Sequence, residues 1–166
     1  MMKVVILLLA VAMTLAACGA GKSASSSTPA VLVSPSPSPT PVIPAAHVGD
    51  TITDTVGDEF TVYQVTPFSS TNQFEQPKSG FRFVVIDVKE KAGPNGLDAN
   101  AYDFALVMDD DTRYMPTLGY KNPSLNATTL GGGQAVRGWV TFEVLASNKV
   151  VRVVLTGSTD IFWEVP

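Results

Sequence analysis

From His47 to the C-terminus, apolar and polar positions alternate with a period of two. Val136, Gly138, Val140, Phe142 and Val144 alternate with Arg137, Trp139, Thr141 and Glu143, the pattern of an antiparallel strand with one buried face. Val151, Val153 and Leu155 alternate with Arg152 and Thr156 in the next run, and Asn148-Lys149 between the two reads as a hairpin turn. Phe81 to Val88 is apolar on both faces in its middle, which predicts a central strand. Phe60 to Val65 and Phe104 to Met108 predict two more strands. Ile161-Trp163-Val165 predicts a short last one, and Val48 to Thr53 a first edge strand. No stretch of ten or more residues combines helical periodicity with caps. Short strands divided by Gly, Pro, Asn and Asp turns predict an all-β domain built as a β-sandwich.

The connections are uneven. Asp109-Asp110-Asp111 fits a tight hairpin turn, and Gly131-Gly132-Gly133 reads as a flexible entry to the long strand at 136–144. Pro67–Gly80 and Pro116–Gly133 are long for a compact domain, and loops of that length are often functional or mobile.

The N-terminal 46 residues follow different rules. Lys3 precedes an apolar run, Val4 to Met13, which is shorter than the ~20 residues a membrane-spanning helix needs. The run leads into Leu15-Ala16-Ala17-Cys18. This resembles the lipobox of bacterial lipoproteins, in which the cysteine thiol receives a diacylglycerol and the peptide is cut just before it. The resemblance implies a signal peptide over 1–17 and a membrane anchor on Cys18 that holds the chain on the extracytoplasmic face. Each buried methylene of such an anchor contributes about 0.8 kcal/mol. Gly19 follows Cys18, with no Asp to hint at inner-membrane retention. Cys18 is the only cysteine, so the domain has no disulfide, thiol nucleophile or cysteine metal site. From Cys18 to Ala46 the chain is a Ser/Pro-rich tether, including Ser34-Pro35-Ser36-Pro37-Ser38-Pro39-Thr40-Pro41. That composition predicts a disordered, extended spacer at about 3.1 Å per residue.

The sequence carries 15 acidic and 11 basic residues, for a net charge of -4. Every acidic residue lies in 47–166, whereas Lys3 and Lys22 lie outside it. An acidic domain argues against nucleic acid and against anionic lipid headgroups as partners.

The order and spacing of the domain's motifs resemble a known family. His47-Val48-Gly49-Asp50 opens the pattern, followed by Phe60-Thr61-Val62, the run Gly80 to Val88, and Asp103-Phe104-Ala105-Leu106. Leu130 with Gly133, Gly138-Trp139-Val140-Thr141-Phe142-Glu143-Val144 and Trp163 complete it. This is similar to the immunoglobulin-like domain of unknown function found in Gram-positive and actinobacterial lipoproteins, related in fold to a secreted immunogenic antigen of mycobacteria. The resemblance covers 47–166 and implies an immunoglobulin-like antiparallel sandwich, with no enzyme mechanism attached. The turn at Glu90-Lys91-Ala92-Gly93-Pro94 departs from the asparagine-rich turn common in that family.

Candidate chemistry is sparse. The only histidine, His47, stands at the junction of tether and domain, a poor place for a catalytic triad. Asp87, Asp98 and Asp103 offer carboxylates for glycoside hydrolysis, but no motif pairs them. His47, Met108 and Met115 offer soft copper ligands, against which Met108 shares a face with Phe104 and Leu106. Asp109, Asp110 and Asp111 are weak candidate ligands for calcium, because consecutive carboxylates lack the alternate spacing of an EF-hand loop. Trp139 is the sharper signal. It lies on the polar side of its strand beside Arg137, where an exposed aromatic would anchor a protein partner. Tyr114 and Tyr120 are candidate extensions of that patch. The competing reading folds the 116–133 loop over Trp139. The expectation is a non-enzymatic, cofactor-free lipoprotein that acts as a binding module in the cell envelope, anchored through Cys18 and engaging an envelope or extracellular protein. The alternative is a small-ligand or calcium-binding accessory lipoprotein.

Overall fold

The computed structural model describes residues 45–117, 119–157 and 161–166. The signal peptide over 1–17, Cys18 and the tether as far as Pro44 lie outside the described residues. The strands are β1 (Ala46–His47), β2 (Thr51–Thr53), β3 (Glu59–Phe68), β4 (Phe81–Lys91), β5 (Leu97–Ala99), β6 (Phe104–Met108), β7 (Arg113–Tyr114), β8 (Thr128–Leu130), β9 (Ala135–Leu145), β10 (Val150–Leu155) and β11 (Phe162–Glu164). One sheet runs β1-β11-β10-β6-β7, the other β2-β3-β4-β9, and β5 with β8 forms a separate ribbon. The fold is an immunoglobulin-like β-sandwich of these two sheets.

The period-two pattern decides which side chains meet between the sheets. Val84, Ile86 and Val88 of β4 and Val140, Phe142 and Val144 of β9 share one core with Phe104, Leu106 and Met108 of β6 and Val153 of β10. Trp163 is fully buried in that core, and its Nε1–H donates to the Asp50 carbonyl at 3.0 Å. That bond satisfies the indole donor, as burial requires. β4 is the central strand its composition predicts, and Phe83 to Val88 is buried on both faces.

Two expectations are corrected. Asn148-Lys149 is not a hairpin turn. β9 pairs with β4 in one sheet, and β10 pairs with β6 and β11 in the other. The turn therefore carries the chain across the sandwich. Alternation marks an inward face on each run but does not say whether the runs pair edge to edge or pack face to face. Val48 to Thr53 is likewise not a single strand. β1 begins at Ala46 and pairs in parallel with β11, and after a turn β2 pairs with β3 in the opposite sheet.

Gly131-Gly132-Gly133 forms a hydrogen-bonded turn at the entry to β9. Gly133 N–H donates to the Ala92 carbonyl, Gln134 Oε1 accepts from Gly131 N–H, and a Cβ on Gly132 would meet the Pro94 carbonyl at 2.9 Å. The loop after Tyr114 runs beside β9. Thr117 N–H donates to the Thr141 carbonyl, Trp139 N–H to the Pro123 carbonyl, and Leu125 N–H to the Trp139 carbonyl. Gly138 makes this approach possible, since a Cβ there would meet Leu125 N at 2.6 Å and Ser124 C at 2.8 Å. Both contacts are backbone, so neither can turn aside. Gly138→Ala is therefore expected to lower stability by about 1–3 kcal/mol, read as a reduced urea midpoint, whereas Ser147→Ala on the surface leaves the midpoint nearly unchanged.

Candidate functional site

The outward face of the β2-β3-β4-β9 sheet is where the unusual side chains gather. On β4 the residues opposite the core are Phe83, Val85, Asp87 and Lys89, and the register sets Asp87 beside Trp139 and Lys89 beside Arg137. A bulge between Val62 and Gln64 of β3 adds one residue, Tyr63, to the same side. Arg137 reaches across the sheet. Its Nε and Nη2 donate to Asp87 Oδ1 and Oδ2 at 2.9 and 2.7 Å, and its guanidinium lies over the Tyr63 ring at 4.0 Å. Asp87 is 8% exposed and Arg137 55% exposed, so the pair is closed from below and open above. The Asp87 carboxylate holds the guanidinium protonated more firmly than usual.

Beside this pair, Lys121 Nζ stands 3.4 Å from the Trp139 ring centroid and 5.9 Å from that of Phe68. Cations over aromatic faces are attracted by the ring quadrupole. Tyr120 packs on Phe83 with ring centroids 5.0 Å apart. On the same side Lys78 is tied to Glu143, through its N–H at 2.7 Å and its ammonium at 3.0 Å, and these bonds draw the Glu143 carboxyl below its usual range. Both long loops therefore close over one half of the face. The other half, with Tyr63, Lys89, Arg137 and part of Trp139, stays accessible.

Arg137, Trp139 and Tyr120 thus share this face, as their sequence positions predict. Trp139 takes an intermediate place: its strand edge is covered by the loop and its ring by Lys121. Tyr114 does not belong to the patch. It sits on β7 in the other sheet, where it packs against the core and its hydroxyl accepts from Leu145 N–H at 3.4 Å. Tyr63 as a partner of Arg137 and Lys121 as a partner of Trp139 are not legible in the sequence, because a bulge brings the one and a long loop the other.

The weak metal candidates are dispersed. Asp109 Oδ1 accepts from Lys149 N–H, Asp110 accepts from Thr112 N–H and Asn148 Nδ2, and Asp111 faces Arg152 at 3.7 Å. Among the described residues no three His, Cys, Asp or Glu side chains converge in a way that could hold a metal ion. The acids weighed for hydrolysis are also occupied. Asp98 accepts from Thr129 Oγ1, and Asp103 accepts from Asn100 N–H in the cap of the short 3-10 turn Ala101–Asp103. Met108 is buried in the core, His47 is exposed, and its Nδ1 lies 4.0 Å from Glu164.

One titratable group is entirely enclosed. Glu90 extends the inward series Val84, Ile86, Val88 to the end of β4, has no exposed surface, and neither carboxylate oxygen has a hydrogen-bond partner. Burial, then the nearby Asp103 carboxyl, with a smaller push from Asp58, raises its pKa to about 8. Asp103 is itself raised by burial, against the Asn100 N–H that stabilises its charge.

The family model described as a domain of unknown function, DUF4352, matches residues 48–164. The chain belongs to the DUF4352 family. Its fold is similar to that of the secreted protein MPT63 from Mycobacterium tuberculosis, with TM-score 0.58 and 16% identity, over 77% of this chain and 100% of that one. The yjhA protein of Bacillus subtilis has TM-score 0.55 and 21% identity, over 73% of this chain and 99% of that one. The ycdA protein of Bacillus subtilis, provisionally described as a lipoprotein, has TM-score 0.57 and 14% identity, over 72% of this chain and 38% of that one. A search of curated proteins finds no match.

Two outcomes follow from this geometry. Glu90 stays protonated in the folded chain up to about pH 8, but ionises above about 4.5 when unfolded. Unfolding between those values releases a proton, so stability is complete below pH 4.5 and falls as pH rises through 8. In Glu90→Gln that fall flattens and stability at neutral pH rises, as checked by urea unfolding from pH 5 to 9. Lys121→Ala uncovers the Trp139 ring while Trp163 remains buried. Acrylamide should then quench one of the two tryptophans more strongly, with a red-shifted emission.

Proposed function

We propose that the protein is a non-catalytic binding module of the bacterial cell envelope. It is held on the extracytoplasmic side of the membrane by a diacylglycerol on Cys18 and engages a protein partner through the open half of the outward sheet face. The observation that carries this reading is the set Tyr63, Arg137 and Trp139. These are aromatic and arginine side chains, the types that dominate binding energy at interfaces, aligned on rigid strands and partly exposed. Strands hold such groups more firmly than loops do, which lowers the ordering cost of binding. The description of MPT63 as secreted and the provisional description of ycdA as a lipoprotein support the extracytoplasmic placement. Engagement of Asp87, Asp98 and Asp103 in structural bonds supports a role without hydrolysis. The calcium-binding alternative draws little from Asp109–Asp111, because Asp109 and Asp110 accept bonds from the Lys149 and Thr112 amides.

The test is photocrosslinking on intact cells, with benzoylphenylalanine in place of Tyr63 and, as control, in place of Lys149. A discrete protein adduct from position 63 and none from 149 is the expected result. Absence of any adduct from position 63 removes the face as an interaction surface.

A further inference from the structure

The edge of β3 beside this face is open. β2 pairs with β3 only from Glu59 to Thr61, and the Gly49 N–H closes on the Val62 carbonyl at 2.7 Å. Beyond Val62, β3 continues to Phe68 with β4 on one side and, among the described residues, no strand on the other. Tyr63 and Gln64 are exposed there, and Pro67, which has no N–H, ends the usable run. The opposite edge of the sheet is not equivalent, because Pro123 and Leu125 bond the Trp139 backbone. Within Tyr63 to Thr66, the alternate residues whose N–H and C=O point away from β4 thus offer unpaired backbone to a further strand.

The charge beside that edge is positive in a chain of net charge -4. Lys89 and Arg137 are direct cross-strand neighbours on the outward side. Like charges so placed are destabilising unless something offsets them. Asp87 offsets one, using Nε and Nη2 of Arg137 and leaving Nη1 with no acceptor among the described residues. Because the guanidinium lies over Tyr63, these spare donors sit at the β3 side of the sheet. Lys121 adds a third cation next to Trp139.

We infer that this edge takes an extended acidic peptide by strand addition. The peptide backbone pairs with Tyr63–Thr66, and every second side chain falls on the outward face, where carboxylates reach Arg137 and Lys89. Backbone pairing supplies affinity, and the charge-assisted bonds select acidic over basic sequences. This rests on the reading of the face as an interaction surface, and it names the chemistry of the partner.

The experiment is fluorescence anisotropy of a labelled octapeptide of alternating Glu and Val, titrated with the full chain in detergent. A Lys-Val peptide serves as the charge control. Two further peptides carry N-methyl groups on one or the other alternate set of amides. The Glu-Val peptide should bind and the Lys-Val peptide should bind at least about tenfold more weakly. Only one of the two N-methylated forms should lose binding, since only one set of amides faces the edge. Arg137→Gln and Lys89→Glu should each weaken binding about tenfold, and Lys89→Glu, which relieves the like-charge pair, should leave the fold intact. Equal binding of both N-methylated forms, or tighter binding of inorganic polyphosphate at the same site, would show attraction by charge alone and overturn strand addition. So would a β3-to-β3 dimer in the centrifuge that excludes the peptide. An adduct from position 63 on cells without peptide binding removes strand addition and keeps the interaction face, whereas failure of both removes the face as well.

Discussion

The burial of β4 on both faces is the constraint from which the rest of the structure follows. A sandwich needs only one apolar face on each sheet, yet Phe83 and Val85 on the outward side are as buried as Val84 and Ile86 on the inward side. The outward side must therefore have its own cover. The chain supplies it by running the segment after β7 along β9, packing Tyr120 on Phe83 and pinning Lys78 to Glu143. The long loops are thus parts of the packing: the one after β7 crosses from one sheet to the edge of the other, and the one between β3 and β4 joins neighbouring strands of a single sheet. The cover stops at Asp87. What lies beyond is the half of the face that solvent and partners reach.

β4 also carries the two acids that a doubly buried strand can least accommodate, and each is handled differently. Asp87 faces outward, where Arg137 crosses the sheet to meet it with two parallel bonds. Glu90 faces inward and meets Asp103 and Asp58 instead, so it is accommodated by holding a proton. One acid organises a surface, and the other ties the closing end of the core to pH. Removing Arg137 would leave Asp87 unpaired in a dry setting, which costs more than the bonds themselves contribute.

Much of the fold is legible in the alternation of residues 136–144 and 81–88, because period-two burial follows directly from strand geometry. The pairing of those strands is less legible. Nothing in the runs before and after Asn148-Lys149 distinguishes a hairpin from a crossing between sheets, and nothing in Val48–Thr53 shows that only Thr51–Thr53 is a strand, with β1 before it in the other sheet. The site shows the same limit. Trp139 and Arg137 stand out as an aromatic and a cation on a polar face, and Glu90 could have been found by continuing the inward series Val84, Ile86, Val88 by one step. Tyr63 and Lys121 reach the site through a bulge and through a loop held by Gly138. Such contacts depend on three-dimensional close approach that no local pattern records. Tyr114 illustrates the converse, an aromatic near the others in sequence that the chain delivers to the opposite sheet.

Structural likeness at low identity shows that the packing scheme tolerates wide substitution, so the fold itself carries no particular binding specificity. Core positions such as Trp163 and Phe142 answer to volume and shape. Among the outward residues around Asp87, Arg137 answers to the buried carboxylate, and Lys89 stands beside it as a like charge. On the proposed reading, cations on an accessible face, next to an unpaired strand edge that a bulge and Pro67 confine to a few residues, suit that face to contact. The bulge and the proline limit indiscriminate edge pairing, and the cations restrict what may pair. Under the strand-addition proposal, together they turn an aggregation hazard into a short, charge-selective docking edge.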